Sequence, residues 1–216
     1  TTITGGSGNA NKQATISIST GTLNAQGGIT HSGSTGNENL TTTSTATINL
    51  TGTWSAGNDG SINSGTLVKS IGTAAVNGAY TLGKLQSTAG TLTLGANMSI
   101  ADTFTIDTNS TTTIAASATL TVTGATSITG TLDMTNTAAL KTFTGAVTVN
   151  SGGKWINTGN SAVTFSGGFS NNSGSVVNMG TGLITFSASQ TLNGNSDINF
   201  GVITIPNNVV VTNNNT

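Results

Sequence analysis

Residues 122–204 read as one motif written four times: VTGATSITGTLDMTNTAALKT (122–142), FTGAVTVNSGGKWINTGNSAVT (143–164), FSGGFSNNSGSVVNMGTGLIT (165–185) and FSASQTLNGNSDINFGVIT (186–204). Each unit opens with an apolar residue that follows Thr, and each ends on Thr. From these bounds the units are 21, 22, 21 and 19 residues long. A fixed period of this size is typical of a solenoid, in which each repeat forms one coil of a stack.

A coil of this length has room for three short strands and their corners. Stacking coils at about 4.8 Å lets each backbone N–H and C=O pair with the coil above or below. The motif then places Phe143, Phe165 and Phe186 above one another in the core, with Val122 and Ile205 extending the column. One coil alone buries too little apolar surface to be stable, so the array is stable only as a stack.

The rest of the chain shows the same strand pattern. Alternating segments such as ATISIS (14–19), TINL (47–50) and TLTL (91–94) have the period of half-buried strands, and Gly and Asn cluster between them. No segment has sustained helical spacing. We predict one all-β solenoid domain over residues 13–216, with roughly nine or ten coils and no helical cap. Residues 1–12 are predicted to be a short β-prone arm on a Gly-rich tether.

The same pattern assigns three units upstream of Val122, which begin at Phe104, Leu82 and Ile62. Before Ile62 the pattern does not define a register. The alternatives to a solenoid are a β-sandwich and a disordered chain. A β-sandwich also has regularly spaced short strands, but it does not require one apolar residue to recur every 21 positions. Disorder fits the polar composition, but not the 34% of hydrophobic residues that recur in register.

Charge is scarce in this chain. Only 5% of its residues are charged, the formal net charge is −1, and Arg and Cys are absent; an ordinary domain carries about 25% charged residues. Such a chain lacks the basic patch that nucleic acid binding requires, and no apolar run is long enough for a transmembrane helix. We predict no nucleic acid partner and no membrane insertion. A first residue other than Met is consistent with a processed, secreted segment.

Catalytic and metal-binding patterns are weak. A carboxylate pair of the glycosidase kind would have to be assembled across coils from Asp102, Asp107 or Asp133, and His31 has no Cys or Ser partner that would form a triad. The Gly-Gly-x-Gly-x-Asp nonapeptide of calcium-binding solenoids does not occur. We therefore predict no enzyme activity, no metal and no cofactor.

Thr flanks the apolar residue at the start of each unit. If that residue points inward, its two neighbours point outward and form two columns of hydroxyls. This face has two interpretations. The first is that β-branched Thr simply suits an exposed strand. The second is an ordered Thr array, which resembles the Thr-x-Thr faces of ice-binding solenoids. Its predicted members are Thr103, Thr105, Thr121, Thr123, Thr142, Thr144, Thr164 and Ser166.

The two ends of a solenoid are open sheet edges, which other proteins cover or charge. The last segment, IPNNVVVTNNNT (205–216), has no charged residue and only one Pro. We predict that copies of the chain stack head to tail, a contact that does not close and so yields a fibre. The N-terminal arm would add a strand to the neighbouring copy. The predicted interface residues are Thr2, Ile3, Ile205, Val209, Val210 and Val211.

Segments such as LTLGANMSIADTFTI (92–106) and FSGGFSNNSGSVVNMGTGLITF (165–186) resemble the Thr/Asn/Gly-rich repeats of large bacterial surface proteins. These are the filamentous-haemagglutinin-like and autotransporter-passenger-like β-helices. The resemblance implies a right-handed β-helix at or outside the cell surface, with adhesive or structural work, and it carries over no active-site residues. The sequence thus predicts an extracellular filament subunit or rigid stalk whose partners are its own copies. The alternative is an ice-binding protein, and surface glycans are a further possible partner.

Overall fold

Short parallel strands make up the fold. A computed structural model of the protein describes residues 2–3, 14–31, 38–43, 45–55, 62–135 and 139–216. Every strand pair within these ranges is parallel. The strands in chain order are β1 (Thr2–Ile3), β2 (Ala14–Ile18), β3 (Thr22–Ala25), β4 (Thr30–His31), β5 (Glu38–Thr42), β6 (Thr47–Trp54), β7 (Leu67–Val76), β8 (Tyr80–Leu82), β9 (Lys84–Ser87), β10 (Gly90–Leu94), β11 (Met98–Ile100), β12 (Phe104–Ile106), β13 (Ser110–Ile114), β14 (Leu120–Val122), β15 (Thr126–Ile128), β16 (Thr131–Asp133), β17 (Lys141–Phe143), β18 (Val147–Val149), β19 (Lys154–Ile156), β20 (Val163–Phe165), β21 (Phe169–Asn171), β22 (Val177–Asn178), β23 (Leu183–Phe186), β24 (Gln190–Gly194), β25 (Ile198–Asn199), β26 (Val202–Thr204) and β27 (Val211–Asn213).

Three strands make one coil, and the coils form three faces. Face A contains β8, β11, β14, β17, β20, β23 and β26. Face B contains β9, β12, β15, β18, β21, β24 and β27, and face C contains β10, β13, β16, β19, β22 and β25. The longer strands β6 and β7 turn from face B into face C within one strand, and β3 pairs with the start of β6. The result is the predicted all-β solenoid, with about 9 turns.

The register of face A confirms the predicted core column. Val122 pairs with Phe143, Phe143 with Phe165, and Phe165 with Phe186. All four side chains are at most 1% exposed. The rings of Phe143 and Phe165 stack with centroids 5.7 Å apart, and those of Phe165 and Phe186 with centroids 6.1 Å apart. Identical positions on successive coils therefore meet in the core, where each side chain contributes about 1.5–3 kcal/mol on burial.

The upstream register differs from the prediction at one unit. Val122 pairs with Ile100, which pairs in turn with Leu82, so Leu82 was placed correctly and Phe104 was not. Phe104 lies on face B, where it pairs with Leu85 and Thr126. Coil length explains the error, because face A advances 18 residues from Tyr80 to Met98 and then 22 to Leu120.

Close backbone contact explains the glycines at the corner between faces A and B. A Cβ atom added to Gly145 would collide with the carbonyl oxygen of Gly124, and one added to Gly167 would meet the backbone of Gly145 and Ala146. Side chains larger than hydrogen would force these corners apart. The T-G-A and S-G-G corners of the motif thus keep successive coils at strand spacing.

The described ranges contain no helix, in agreement with the predicted absence of a helical cap. Among these same residues, none lies in a helix that is apolar and long enough to cross a membrane. Of the predicted arm and tether, residues 1 and 4–12 lie outside the described residues.

Candidate functional site

The last coil exposes positions that are buried one coil earlier. On face A, Ile184 pairs with Ile203, but Ile184 is fully buried and Ile203 is 44% exposed. Ile205, which follows β26, is 48% exposed, whereas Phe186 at the corresponding place in the previous coil is 1% exposed. The outer edge of this coil is therefore both an apolar surface and a sheet edge whose backbone has no pairing strand among the described residues.

The other predicted interface residues at this end differ in their exposure. Val210 is 64% exposed, whereas Val209 and Val211 are half-buried. Val211 begins β27 and pairs with Gln190, and its side chain packs against the core. Val209 lies in a turn, where its N–H donates to the carbonyl oxygen of Pro206 at 3.2 Å. Val202 at 57% exposure belongs to the same edge and was not predicted.

The opposite end begins with β2 and β3. Ile16 and Ile18 of β2, together with Leu23 of β3, are half-buried and pack against the core. Within the described residues, β2 pairs on one side only, with β5, and β3 likewise pairs only with β6. Both strands leave an edge that has no described partner.

The N-terminal arm lies on its own chain. Thr2 and Ile3 pair with Thr30 and His31 of β4, at the end of the first coil. Within the chain the arm therefore covers a short part of the first coil's edge. Its pairing with a neighbouring copy stays a prediction.

The predicted Thr face is present in part. Thr121, Thr142 and Thr164 pair in register along face A, and the column continues through Thr185 and Thr204. The second column consists of the residues that directly follow each buried residue, such as Phe143, in the chain. In that column the Thr144 N–H donates to Val122 O at 2.8 Å, and the Ser166 N–H donates to Phe143 O at 3.0 Å. Thr123 donates to Ile100 O in the same way, at 2.8 Å.

Two residues of the predicted Thr face lie elsewhere. Thr105 is on face B, where it pairs with Gln86 and Ser127, and Thr103 precedes the same strand. They were assigned to face A because Thr103-Phe104-Thr105 repeats the pattern of Thr142-Phe143-Thr144. Since Phe104 belongs to another face, its two Thr neighbours do so as well.

Face C carries a second Thr array that sequence reasoning missed. Thr91 pairs with Thr111 and Thr111 with Thr131, while Thr93 pairs with Thr113. Charged residues replace Thr on the following coils, where Asp133 pairs with Thr113 and Lys154 pairs with Thr131. The signal was present as Thr-x-Thr at 91–93 and 111–113, away from the start of each unit.

Three described acidic residues each have a partner of their own. Asp102 contacts Lys84 at 3.5 Å, with both side chains more than 40% exposed. The Asp107 carboxylate accepts a hydrogen bond from Gln86 Nε2 at 2.7 Å, and that of Asp133 accepts one from the Thr135 N–H at 2.8 Å. No group of three potential metal ligands occurs in the part of the chain that the structure describes. For His31 only the backbone position is described.

Lys141 is a buried charge that the sequence pattern did not reveal. It occupies an inward position of face A between Leu120 and Val163 and is fully buried. Its Nζ donates to Ala139 O at 2.6 Å and to Ala118 O at 3.0 Å. Burial lowers the pKa of Lys141 from 10.5 to about 8, because removal from water disfavours the charged form.

Comparison of the chain with protein-family models, curated proteins and solved structures gave no significant match. The fold and its stacked columns define the class of the protein, which is a parallel β-solenoid repeat protein. Kinship with the filamentous-haemagglutinin-like or autotransporter-passenger-like proteins remains a prediction.

Proposed function

We propose that this chain is an extracellular structural and adhesive β-solenoid whose copies stack head to tail into a filament. A single copy is already a rod of parallel coils, so the same fold also suits a rigid surface stalk. The observation that carries the proposal is the contrast between Ile184, which is buried, and Ile203, which occupies the same position on the last coil and is 44% exposed.

The first coil offers a matching edge. Ile16-Ser17-Ile18 of β2 has the same inward-outward-inward pattern as Ile203-Thr204-Ile205 in the last coil. Placing β2 of one copy beside β26 of another would set these two apolar patterns side by side. On face B, the register of the stack would place Leu23 of the next copy beside Asn213. This contact uses two different surfaces, so it propagates and does not close into a dimer.

Charge does not oppose such stacking. Residues 198–216 contain no charged side chain, and the whole chain has a formal net charge of −1. Edge strands of monomeric proteins are commonly protected by Lys, other charges or Pro. Here Pro206 is the one such residue in the last coil, and it lies between the strands of faces A and B.

Two sequence features support a location outside the cell. The Thr/Asn/Gly-rich repeats resemble those of bacterial surface solenoids, and the regular outward columns of hydroxyl and amide groups provide an extended polar surface for adhesion. Localisation of the chain in producing cells, by antibody labelling of intact and permeabilised cells, tests this part. Labelling only after permeabilisation would contradict it.

Negative-stain microscopy of purified protein tests the filament. We expect unbranched fibres of one solenoid's width, and none from a variant in which Ile203→Lys and Val210→Lys place charges on the last coil. Uniform short particles from the unmodified chain would contradict head-to-tail stacking.

Ice binding is the second candidate function. It is favoured by the unbroken register of Thr121, Thr142, Thr164, Thr185 and Thr204 on face A, because equal strand spacing makes this a regular row of hydroxyls. The neighbouring column changes from Thr123 and Thr144 to Ser166, so only one of the two rows is uniform.

A further inference from the structure

The corner between faces C and A shortens over the last three coils. It has six residues between β19 and β20 (157–162), four between β22 and β23 (179–182) and two between β25 and β26 (200–201). Corners of equal length would lie directly over one another. This taper leaves a recess of about 510 Å³ on the side of the solenoid, which is within the size range of small-molecule binding sites.

The wall of the recess is uncharged and contains many amides. Asn160, Asn178 and Asn199 line it together with the aromatic residues Trp155 and Phe200, and no lining residue carries a charge. Asn178 and Asn199 pair in register on face C, so their amides lie one strand spacing apart, about 4.8 Å. An amide offers both donors and an acceptor, which is the pattern that neighbouring hydroxyl groups require.

Hydrogen bonds hold the corner in place without any ligand. The buried Asn157 side chain donates to Met179 O at 2.7 Å and to Ser161 O at 3.1 Å, and it accepts from the Ser161 N–H at 2.9 Å. Asn160 Oδ1 accepts from the Thr181 N–H at 2.8 Å. The recess is therefore largely preformed, which reduces the entropy lost on binding.

Several polar groups at the recess have no partner. Trp155 is 5% exposed, and its indole Nε1 is buried without a hydrogen-bond partner among the described residues. Buried polar groups are usually paired, but this N–H is shielded from solvent, so it does not open into the recess. The exposed Asn199 side chain likewise makes no hydrogen bond within the described chain, and Asn178 uses only Oδ1, which accepts from the Gly180 N–H at 2.9 Å.

We propose that this recess binds a neutral carbohydrate. The half-buried Phe200 ring, held edge-on against Phe186 at 5.6 Å, provides an apolar surface for a sugar ring. The amides of Asn178 and Asn199 would contact hydroxyls of successive sugar residues. The absence of charged lining residues selects against acidic sugars. The inference concerns a small-molecule ligand and does not rest on head-to-tail stacking.

Isothermal titration calorimetry of the full chain with cellohexaose, laminarihexaose and chitohexaose tests the proposal. We expect saturable binding of at least one of them and weaker or no binding of the acidic hexagalacturonate. Thr181→Trp should abolish binding, because it places an indole in the recess. The backbone N–H of residue 181, which donates to Asn160 Oδ1, is retained. Asn199→Ala should raise the Kd about three- to tenfold, as expected for one lost hydrogen bond.

Two matched variants serve as controls. Thr108→Trp changes an exposed corner Thr outside the recess, and Asn193→Ala removes an exposed amide from face B; both should bind like the unmodified chain. Circular dichroism melting of all four variants confirms that they remain folded. The proposal is overturned if none of the three neutral hexasaccharides binds, or if folded Thr181→Trp binds them as tightly as Thr108→Trp does.

Discussion

Ile184 and Ile203 are paired neighbours on face A, and among the described residues Ile184 has a strand on both sides whereas Ile203 has one on one side only. Ile184 is fully buried by that coil, and Ile203 is 44% exposed without it. Complete burial of an isoleucine side chain stabilises a folded structure by about 1.5–3 kcal/mol. A next coil of similar pattern would therefore stabilise the end of the rod.

Charging this edge should prevent stacking. In the double variant Ile203→Lys and Val210→Lys, stacking would place two ammonium groups against an apolar edge, so sedimentation velocity should show only monomer. Val176→Lys is the matched control, since Val176 is 53% exposed on the side of the coil. If the edge variant and the Val176 variant sediment alike, the last coil is not the contact surface.

Removal of residues 1–12 should strengthen stacking. The arm strand β1 covers Thr30 and His31 at the edge of the first coil, and its loss exposes that backbone for pairing. We expect fibres to form at a lower protein concentration, as followed by light scattering. A higher concentration threshold would indicate instead that the arm holds neighbouring copies together.

Core truncation should destabilise the fold according to position in the stack. Phe165→Ala removes a fully buried ring that packs between Phe143 and Phe186, so the free energy of unfolding should fall by about 3–5 kcal/mol. Ile203→Ala at the exposed end should lower it by about 1 kcal/mol in dilute solution. Urea denaturation followed by circular dichroism measures both. Equal losses from the two variants would be inconsistent with a continuous core column.

Lys141 should make stability depend on pH in alkaline solution. Its pKa is about 8 in the folded protein and 10.5 ordinarily, so between these values the unfolded chain binds more protons. Stability then rises as pH increases from about 8 to 10.5, and the penalty of the buried charge is fully present below pH 8. Lys141→Met should lose this rise while other lysines titrate as before. Parallel stability profiles of the two proteins would contradict a perturbed Lys141.

Thermal hysteresis measurements test the Thr row. If face A binds ice, Thr164→Tyr should abolish ice shaping, because it interrupts the row at its centre. Thr148→Tyr makes the same change on an outward position of face B and should have no effect. Absence of hysteresis in the unmodified chain would remove this candidate function.

The sequence predicted the stack because its most regular columns are also its most buried. Val122, Phe143, Phe165 and Phe186 recur at nearly equal intervals, and equal intervals give equal positions in a coil. The placement of Phe104 failed because both face A and face B present Thr-apolar-Thr. The pattern alone does not record that one coil has 18 residues and the next 22.

Corners were the least predictable part of the site. The recess beside Asn160 exists because three successive corners differ in length, a difference that appears only when the strands are aligned in space. Lys141 was missed for a related reason: a charged residue in a strand suggests an outward position, and its inward one depends on the carbonyl acceptors of Ala118 and Ala139.

The molar mass of the purified chain in solution, measured by light scattering over a range of concentrations, tests head-to-tail stacking most directly. We predict a mass that rises with concentration in multiples of 21.2 kDa and stays at 21.2 kDa for the Ile203→Lys and Val210→Lys double variant. A mass of 21.2 kDa at every concentration of the unmodified chain would contradict the proposal.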